Sequence, residues 1–336
     1  MRRKVVRARR CMATRQCGAA ILTAMLTVVL VATLASAMLW QQWRGVEVET
    51  AQRGRVQAAW ILVGALDWAR LILREDARRG GADYLAEPWA VPLAPARLAT
   101  FLAAEGGQSL VTDGLAGEEE VFLSGVMEDM QARLNVTNLL DAGKLHEPTL
   151  AAWTRLFDHL KLPEAELAQM AQALLRASQP MPAGQVADHR PLLPHAVPEL
   201  RWLGLTEATL QALEPYVTLL PERSVVNLNT APPEVLLASV AGLDMAQAQR
   251  MAQARATRHF ETLMDAGRLL GDPGIHFDAN EHGVASRFFS VTGQLRLGLA
   301  VVQERSILQR DGLLVKTLSR HREVVSPEAT QVPPLQ

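Results

Sequence analysis

An uncharged run occupies the chain from Ala19 to Trp43, directly after a short basic head. A helix of that length rises about 37 Å at ~1.5 Å per residue, more than the roughly 30 Å thickness of a bilayer's hydrocarbon core. The pattern therefore predicts a transmembrane helix over residues 19–43.

Apolar residues continue at helical spacing beyond this run, and no proline interrupts them as far as Leu73. They are Val48, Ala51, Val56, Ala59, Trp60, Leu62, Val63, Leu66, Trp68, Ala69, Leu71 and Ile72. The spacing predicts that the helix continues through this stretch and becomes amphipathic. Because an amphipathic helix needs a partner for its apolar stripe, the rest of the chain has to supply a packing surface.

The periodicity then changes. Residues 79–128 mix Gly and Pro with short apolar runs, which predicts loops and a few strands, one of them at 121–126. Short helical patterns fill residues 141–283, and after residue 284 apolar positions alternate with a period of two. The predicted fold class is α+β, with a long N-terminal helix, a small antiparallel sheet and a large all-α part between them.

Local signals place several element ends. Helix starts are predicted at Glu147-Pro148, at Pro163-Glu164, at Thr206, at Asp244 with Gln247, and at Pro232-Pro233 with Thr230 as the cap. In the last part of the chain, Gly293 predicts a bulge or bend, and Arg310-Asp311-Gly312 predicts a hairpin.

The charge distribution adds an orientation. Seven of the 34 Lys and Arg residues lie within residues 1–18, which contain no acid, whereas the chain has 35 Asp and Glu residues. The positive-inside rule keeps the head cytoplasmic and exports the remainder. That remainder is acidic overall, which disfavours a non-specific nucleic-acid binder. Both cysteines, Cys11 and Cys17, lie in the head, so the exported part has no disulfide.

The junction of head and helix resembles the cleavage site of type IV pilins and type II secretion pseudopilins. The stretch Gln16-Cys17-Gly18-Ala19-Ala20-Ile21-Leu22 is similar to that of the large minor pseudopilin family, general secretion pathway protein K. The resemblance implies that prepilin peptidase cuts after Gly18 and methylates Ala19. The position that usually carries a pilin glutamate is then Thr23, and this departure is typical of the K family.

Two further segments carry the resemblance. Residues 127–140 are similar to the family's D-x-Q-x-R-x-N-x-N-N-L segment, and residues 225–236 contain its V-N-x-N-T-A element. The resemblance implies a pilin-like fold with an inserted helical domain. The predicted parts are a leader at 1–18, the transmembrane helix at 19–43, a pilin-like part at 44–140, the helical insertion at 141–283, C-terminal strands at 284–325 and a disordered tail at 326–336.

What the resemblance implies is a non-enzymatic role. Such a protein is a single-pass inner-membrane subunit with a periplasmic domain, and it caps the tip of the pseudopilus and helps to start its assembly. Its expected partners are the I and J minor pseudopilins and prepilin peptidase. We expect the small residues Ala20, Ala24, Thr27 and Ala35 to pack against neighbouring membrane helices.

The residues themselves offer little chemistry. No nucleophile motif, phosphate loop or zinc spacing is present. Asp278 and Asn280 begin a calcium-loop pattern, but Phe289 stands at the twelfth position, where a bidentate Glu is required, so an exposed polar turn is favoured. The family resemblance separately implies calcium in loops of the inserted region, with no residues that we can assign to it.

Three alternatives stay open. The V-N-L-N-T-A element also resembles the opening of helix-hairpin-helix DNA-binding modules, which a basic patch at Arg250, Arg255 and Arg258 would support. Against this, the hairpin is Gly242-Leu243-Asp244, with an acid where the second glycine of the DNA binders stands. Simple secretion with cleavage after Ala37, and a hydrolase with an unrecognised site, are the other two.

Overall fold

The computed structural model describes residues 19–98, 121–179, 190–297 and 300–325. The predicted leader, with Gly18, and the predicted tail at 326–336 lie outside these residues. The chain divides into two compact units between Gln57 and Ala58.

The longest helix, α1, is assigned to Ala19–Arg79. Its N-terminal part contains a window long and apolar enough to cross a membrane, in which no side chain is buried. The helix continues six residues beyond Leu73, and Glu75 and Arg78 form an ion pair within its last turns. Gly80 then stops it, with a φ of +64° and its N–H donating to the carbonyl of Asp76.

One antiparallel sheet organises the second unit. Its strands are β1 (Leu93–Arg97), β2 (Val121–Asp129), β3 (Phe288–Leu297), β4 (Ala300–Asp311) and β5 (Leu314–Val325). They lie in the order β1-β2-β3-β4-β5, so the strands at 121–129 and 288–297 are neighbours although 158 residues separate their ends. The predicted hairpin is confirmed, since Asp311 pairs with Leu314 across a turn in which Gly312 has a φ of +58°.

The sheet covers the apolar stripe of α1. Buried side chains of the helix recur at Ala58, Leu62, Leu66, Ala69 and Leu73, so one face is turned inward. They pack on alternate residues of the sheet, among them Leu123, Phe289, Val291, Leu295 and Leu308. This is the packing surface that the amphipathic pattern requires.

The predicted bulge at Gly293 is wrong. Gly293 pairs in continuous register with Gly125 of β2 and with Glu304 of β4. The glycine serves the contact with α1 instead, because a Cβ there would lie 3.2 Å from Cδ2 of Leu62. The register of the sheet shifts elsewhere, between Ile307 and Leu308 and between Leu93 and Ala96.

Residues 130–283, which we call the helical insertion, lie between the neighbouring strands β2 and β3. Its α-helices are α2 (Glu147–Leu160), α3 (Glu164–Ser178), α4 (Glu207–Leu213), α5 (Pro233–Ser239), α6 (Met245–Thr257) and α7 (Leu263–Leu270). Short 3₁₀-helices cover Met130–Ala132, Val136–Leu139 and Val197–Leu203. Two-residue strands pair Leu134–Asn135 with Val217–Thr218, Leu140–Asp141 with Lys144–Leu145, and Val226–Asn227 with His282–Gly283.

The helical insertion has a core of its own, and this core moves the predicted boundary. Leu134, Val136 and Leu139 are buried together with Trp153 and Phe157 of α2. The segment before residue 141 therefore belongs to the helical insertion rather than to the pilin-like part, because its apolar side chains are used there.

Most of the predicted helix starts are confirmed. Helices α2 and α3 begin at Glu147 and Glu164, beside their prolines, and the side chain of Thr206 caps α4. Asp244 and Gln247 form both hydrogen bonds of a capping box at α6. The exception is α5, whose N-cap is Pro232 without a side-chain hydrogen bond, so the prediction of Thr230 as its cap is wrong.

Candidate functional site: a buried polar junction

A group of buried polar side chains lies where the helical insertion meets the sheet. Asp129, the last residue of β2, is 5% exposed and accepts four hydrogen bonds. The donors are the hydroxyls of Thr230 and Ser286 at 2.6 Å each, the amide nitrogen of Gln131 at 2.7 Å and Nδ2 of Asn227 at 3.0 Å. Burial raises the pKa of Asp129, and the four donors oppose that rise. The hydroxyl of Thr230 is used here, which explains why it does not cap α5.

Asn227, from the V-N-L-N-T-A element, is completely buried and connects three segments. Its Nδ2 also donates to the carbonyl of Asp83 at 3.1 Å and to Oγ of Ser286 at 2.9 Å. Its Oδ1 accepts from the N–H of Asn229 at 2.9 Å. One side chain thus satisfies polar groups of the loop after α1, of the helical insertion and of the chain entering β3.

Arg310 lies near the end of β4. Among the described residues, it is the one cation that contacts these buried polar side chains. Its guanidinium lies 2.5 Å from a carboxylate oxygen of Asp76 and 2.7 Å from one of Asp83, and it donates to the carbonyl of Ser286. We call Asp83, Asp129, Asn227, Ser286 and Arg310 the buried junction. It ties the end of α1, the sheet and both ends of the helical insertion together.

A second carboxyl beside the junction is Glu87. Its Oε2 accepts from the N–H of Tyr84 at 3.0 Å and from Nε1 of Trp89 at 2.7 Å. Burial raises the pKa of Glu87 to about 7, and the charges of Asp76 and Asp83 add to the rise. Burial likewise raises the pKa of Asp83 to about 6, although Arg310 opposes it.

The motif at 127–140 holds the chain of residues 220–225. Gln131 donates to the carbonyl of Val225, and Asn138 donates to that of Ser224. Nδ2 of Asn135 donates to the carbonyl of Glu222, and the hydroxyl of Thr137 donates to that of Leu220. The polar residues of this motif therefore act as backbone supports rather than as a reactive centre.

The three arginines whose clustering would support the DNA-binding alternative do not all face solvent. Arg255 is half-buried, donates to the carbonyl of Leu228 at 2.6 Å, and has its pKa lowered to about 10 by burial. Only Arg250 and Arg258 of the three arginines are exposed. At the hairpin, the carboxylate of Asp244 occupies the N-terminus of α6, where a phosphate would have to approach.

The candidate metal residues form a turn. Oδ1 of Asp278 accepts from both the backbone N–H and Nδ2 of Asn280, at 2.8 and 3.0 Å. This is an exposed Asx turn, the arrangement that the sequence favours at these positions. Calcium in the helical insertion stays a prediction.

Two cavities are candidates for a reactive site. One, of about 230 Å³, lies between α1 and the sheet and is lined mainly by apolar side chains such as Leu66, Trp68 and Met127. The other, of about 220 Å³, lies in the helical insertion beside Arg155, His276 and His282. Among the described residues, no serine hydroxyl is hydrogen-bonded to a histidine ring, so neither cavity presents the nucleophile pair that a hydrolase of that type needs.

Near the N-terminus of α1, two threonine hydroxyls are satisfied within the helix itself. The hydroxyl of Thr23 donates to the carbonyls of Ala19 and Ala20 at 3.0 Å, and that of Thr27 donates to the carbonyl of Ala24. Ala20, Ala24, Thr27 and Ala35 are exposed side chains of α1. Their predicted packing partners lie on other chains, and the cleavage and methylation sites stay predictions.

Sequence reasoning found Asp129 and Asn227 as motif residues but missed what they bind. It did not single out Asp83, Ser286 or Arg310 for the junction, because their partners lie far away along the chain. Arg310 was noticed only as part of a hairpin. One signal in the sequence could have pointed to the junction. Asp129 lies in one polar motif, Asn227 and Asn229 lie in another, and both motifs adjoin apolar residues.

The fold and the junction define a class: an α+β protein with a helix suited to membrane anchoring, an antiparallel sheet packed on the amphipathic part of that helix, and a helical insertion fixed between adjacent strands. Models of the family described as type II secretion system (T2SS), protein K, match residues 132–222 and 226–285. These ranges cover most of the helical insertion.

Relatives match along most of the chain. A type II secretion system protein K from Pseudomonas aeruginosa is 28% identical over 330 residues, covering 92% of this chain and 90% of that protein. One from Klebsiella pneumoniae is 27% identical, covering 89% of this chain and 94% of that protein. A solved chain of the GspK-GspI-GspJ complex from enterotoxigenic Escherichia coli has the same fold, with a TM-score of 0.57, 18% identity and coverage of 81% of this chain and 98% of that chain. These family models, relatives and solved structure support assignment of the chain to the type II secretion system protein K family, with the role of a minor pseudopilin.

Proposed function

We propose that this minor pseudopilin is anchored in the bacterial inner membrane by residues 19–43, with residues 1–18 cytoplasmic and the rest periplasmic, and that it caps the tip of the pseudopilus. The observation that carries the proposal is the helical insertion, which adds a body of some 150 residues to a small pilin-like sheet. Such a body would crowd a subunit stacked above it. The role requires assembly and no catalysis.

The proposed maturation is consistent with the same placement. Cleavage after Gly18, followed by methylation of Ala19, would leave an uncharged apolar N-terminal helix, in which Thr23 stands at the usual glutamate position. The hydroxyl of Thr23 is satisfied by its own helix, so it has no need of a neighbour's terminal amine. A carboxylate there would be costly in lipid without such a partner. This is the chemistry expected of a subunit with nothing above it.

The proposed partners are the I- and J-type minor pseudopilins, which assemble with GspK in the solved complex named above. Ala20, Ala24, Thr27 and Ala35 lie on one side of α1 at helical spacing, and small side chains let helices approach closely in lipid. DNA is not a proposed ligand, because Arg255 points into the protein and Asp244 fills the hairpin.

The first test is the intact mass and N-terminal sequence of the membrane-extracted protein, with and without co-expressed prepilin peptidase. We expect a chain that begins at methylated Ala19 only when the peptidase is present, and Gly18→Val should keep Met1 under both conditions. A chain that begins after Ala37, or one that stays uncut in the presence of the peptidase, would contradict the proposal.

The second test uses the fact that both cysteines, Cys11 and Cys17, lie before the proposed cut, so the mature chain has none. Ala24→Cys should form disulfide-linked adducts with single-cysteine I- or J-type partners in membranes. Val29→Cys, on the opposite side of the helix, is the matched control and should link far less. Equal linkage at both positions would refute the proposed packing face.

A further inference from the structure

Three carboxyl groups crowd one corner of the second unit. Asp76 at the end of α1, Asp83 and Glu87 have carboxylate oxygens that all lie within 4.8 Å of one another. We call them the carboxylate trio. The side chains of Asp76 and Asp83 are 12% and 3% exposed, so water screens them little.

The charges that face the trio do not balance it. Arg310 is the cation in contact with it, and Arg310 contacts both Asp76 and Asp83. Asp129, on β2, faces Asp83 across Ser286 and adds a further carboxyl, because Ser286 donates its N–H to Asp83 and its Oγ to Asp129. His259 stacks on Tyr84 beside the trio at 3.8 Å between ring centroids. Arg287, which follows Ser286, is directed to Glu222 and Asp311 instead.

Closely spaced buried carboxyls that share one guanidinium cannot all ionise without cost, and such a group ordinarily keeps a proton. The direction of the shifts agrees with this. Burial and the charge of Asp129 raise the pKa of Asp83 to about 6, and burial and the charges of Asp76 and Asp83 raise the pKa of Glu87 to about 7. A proton held between the trio members removes one negative charge from the corner.

The trio also lies where segment 83–89 contacts the chain that returns from the helical insertion. Asp83 is bonded to the chain that returns from the helical insertion, through its N–H to the carbonyl of Val284 and through its carboxylate to the N–H of Ser286. Glu87 holds Trp89, which is buried against Phe289 and Leu73. The segment 83–89 therefore closes over the end of α1 and the exit of the helical insertion.

We propose that the carboxylate trio is a pH-dependent latch, which takes up one proton near neutral pH. The trio then holds segment 83–89 against α1 and the helical insertion more tightly in mildly acidic than in mildly alkaline medium. The sign follows from linkage. The closed latch binds the proton more tightly than the open segment does, so opening is favoured as the pH rises. One proton changes the opening equilibrium by at most about tenfold per pH unit.

The test is hydrogen exchange of the full-length protein in detergent, followed at the amides of Asp83 and Ser286 and corrected for the intrinsic pH dependence of exchange. We expect the opening equilibrium constant to rise by up to about tenfold per pH unit between about pH 5 and 7, and to level off above about pH 7, where the closed trio also loses its proton. Glu87→Gln keeps the acceptor for Tyr84 and Trp89 but removes the charge, and it should stay closed and nearly independent of pH. Asp76→Asn, a second route to one charge fewer, should also flatten the profile.

Glu75→Gln is the matched control, because the side chain of Glu75 is 47% exposed on the same turn of α1 and its ion pair among the described residues is with Arg78. It should keep the wild-type slope. A wild-type slope of zero or of opposite sign, or equal flattening by Glu75→Gln and Glu87→Gln, would overturn the proposal. The same measurement with millimolar calcium and with a chelator separates a proton from a cation. If calcium alone closes the latch at about pH 8, the proton assignment is wrong.

Discussion

Replacing Asn227 by alanine tests whether the buried junction stabilises the second unit. In Asn227→Ala, the N–H of Asn229 and the carbonyl of Asp83 lose their side-chain partner, whereas Asp129 keeps three of its four donors. Each unsatisfied buried group costs about 1–3 kcal/mol, so we expect a loss of about 3–5 kcal/mol in the free energy of unfolding. Against a total of roughly 5–15 kcal/mol, that loss is large.

The assay is urea unfolding of the full-length protein in detergent, followed by tryptophan fluorescence. Asn280→Ala is the matched control, because Asn280 is exposed and its side chain contacts only Asp278, and it should change stability by less than about 0.5 kcal/mol. Asn227→Asp keeps the side-chain shape and the acceptor for Asn229 but puts a second carboxylate beside Asp129.

We expect Asn227→Asp to be at least as unstable as Asn227→Ala at about pH 7.5 and to recover in acid, because protonation restores a donor. If Asn227→Ala behaves like Asn280→Ala, the junction contributes nothing to stability and the reasoning fails.

Three further predictions concern local features, all measured by the same unfolding assay. Asp244→Ala removes the capping box of α6 and should cost about 1 kcal/mol, and Asp244→Asn should recover most of it; equal losses would show that the cap is not the cause. Gly204→Ala should cost about 1–3 kcal/mol, because Gly204 has a φ of +104° and a Cβ would lie 2.3 Å from Nε2 of Gln169; a neutral result would mean that the turn relaxes freely. Burial lowers the pKa of His282 below 6.5, so the folded state resists protonation and stability is lost as the pH falls below that value. His282→Gln should remove this acid-side loss, and an unchanged profile would contradict the assignment.

Short-range rules predicted the elements well. The uncharged run, the helical spacing up to Leu73, the caps at Thr206 and Asp244 and the hairpin at Asp311 depend on residues within a few positions of one another. Each was read from local sequence because the interaction itself is local. The start of the helical insertion was placed too late, because Leu134 and Val136 look the same to a local rule whichever core they join.

Long-range contacts decided the rest. Glycine at position 293 signals a bulge or bend by local rules, but in the structure it leaves room for Leu62 of α1, which would lie 3.2 Å from a Cβ there. Thr230 fits a cap by its position, but Asp129 lies within reach of its hydroxyl, and the stronger, buried hydrogen bond to a carboxylate takes it.

By itself, the sequence determined a helix long and apolar enough to cross a membrane, the α+β pattern and the family resemblance, because these depend on composition, period and motifs. The tertiary structure alone decided the buried junction and the carboxylate trio. Asp83 and Ser286 are 203 residues apart, and Arg310 and Asp76 are 234 apart. Which charges share a low-dielectric site, and which carboxyl then keeps a proton, is fixed only when folding brings such distant groups together.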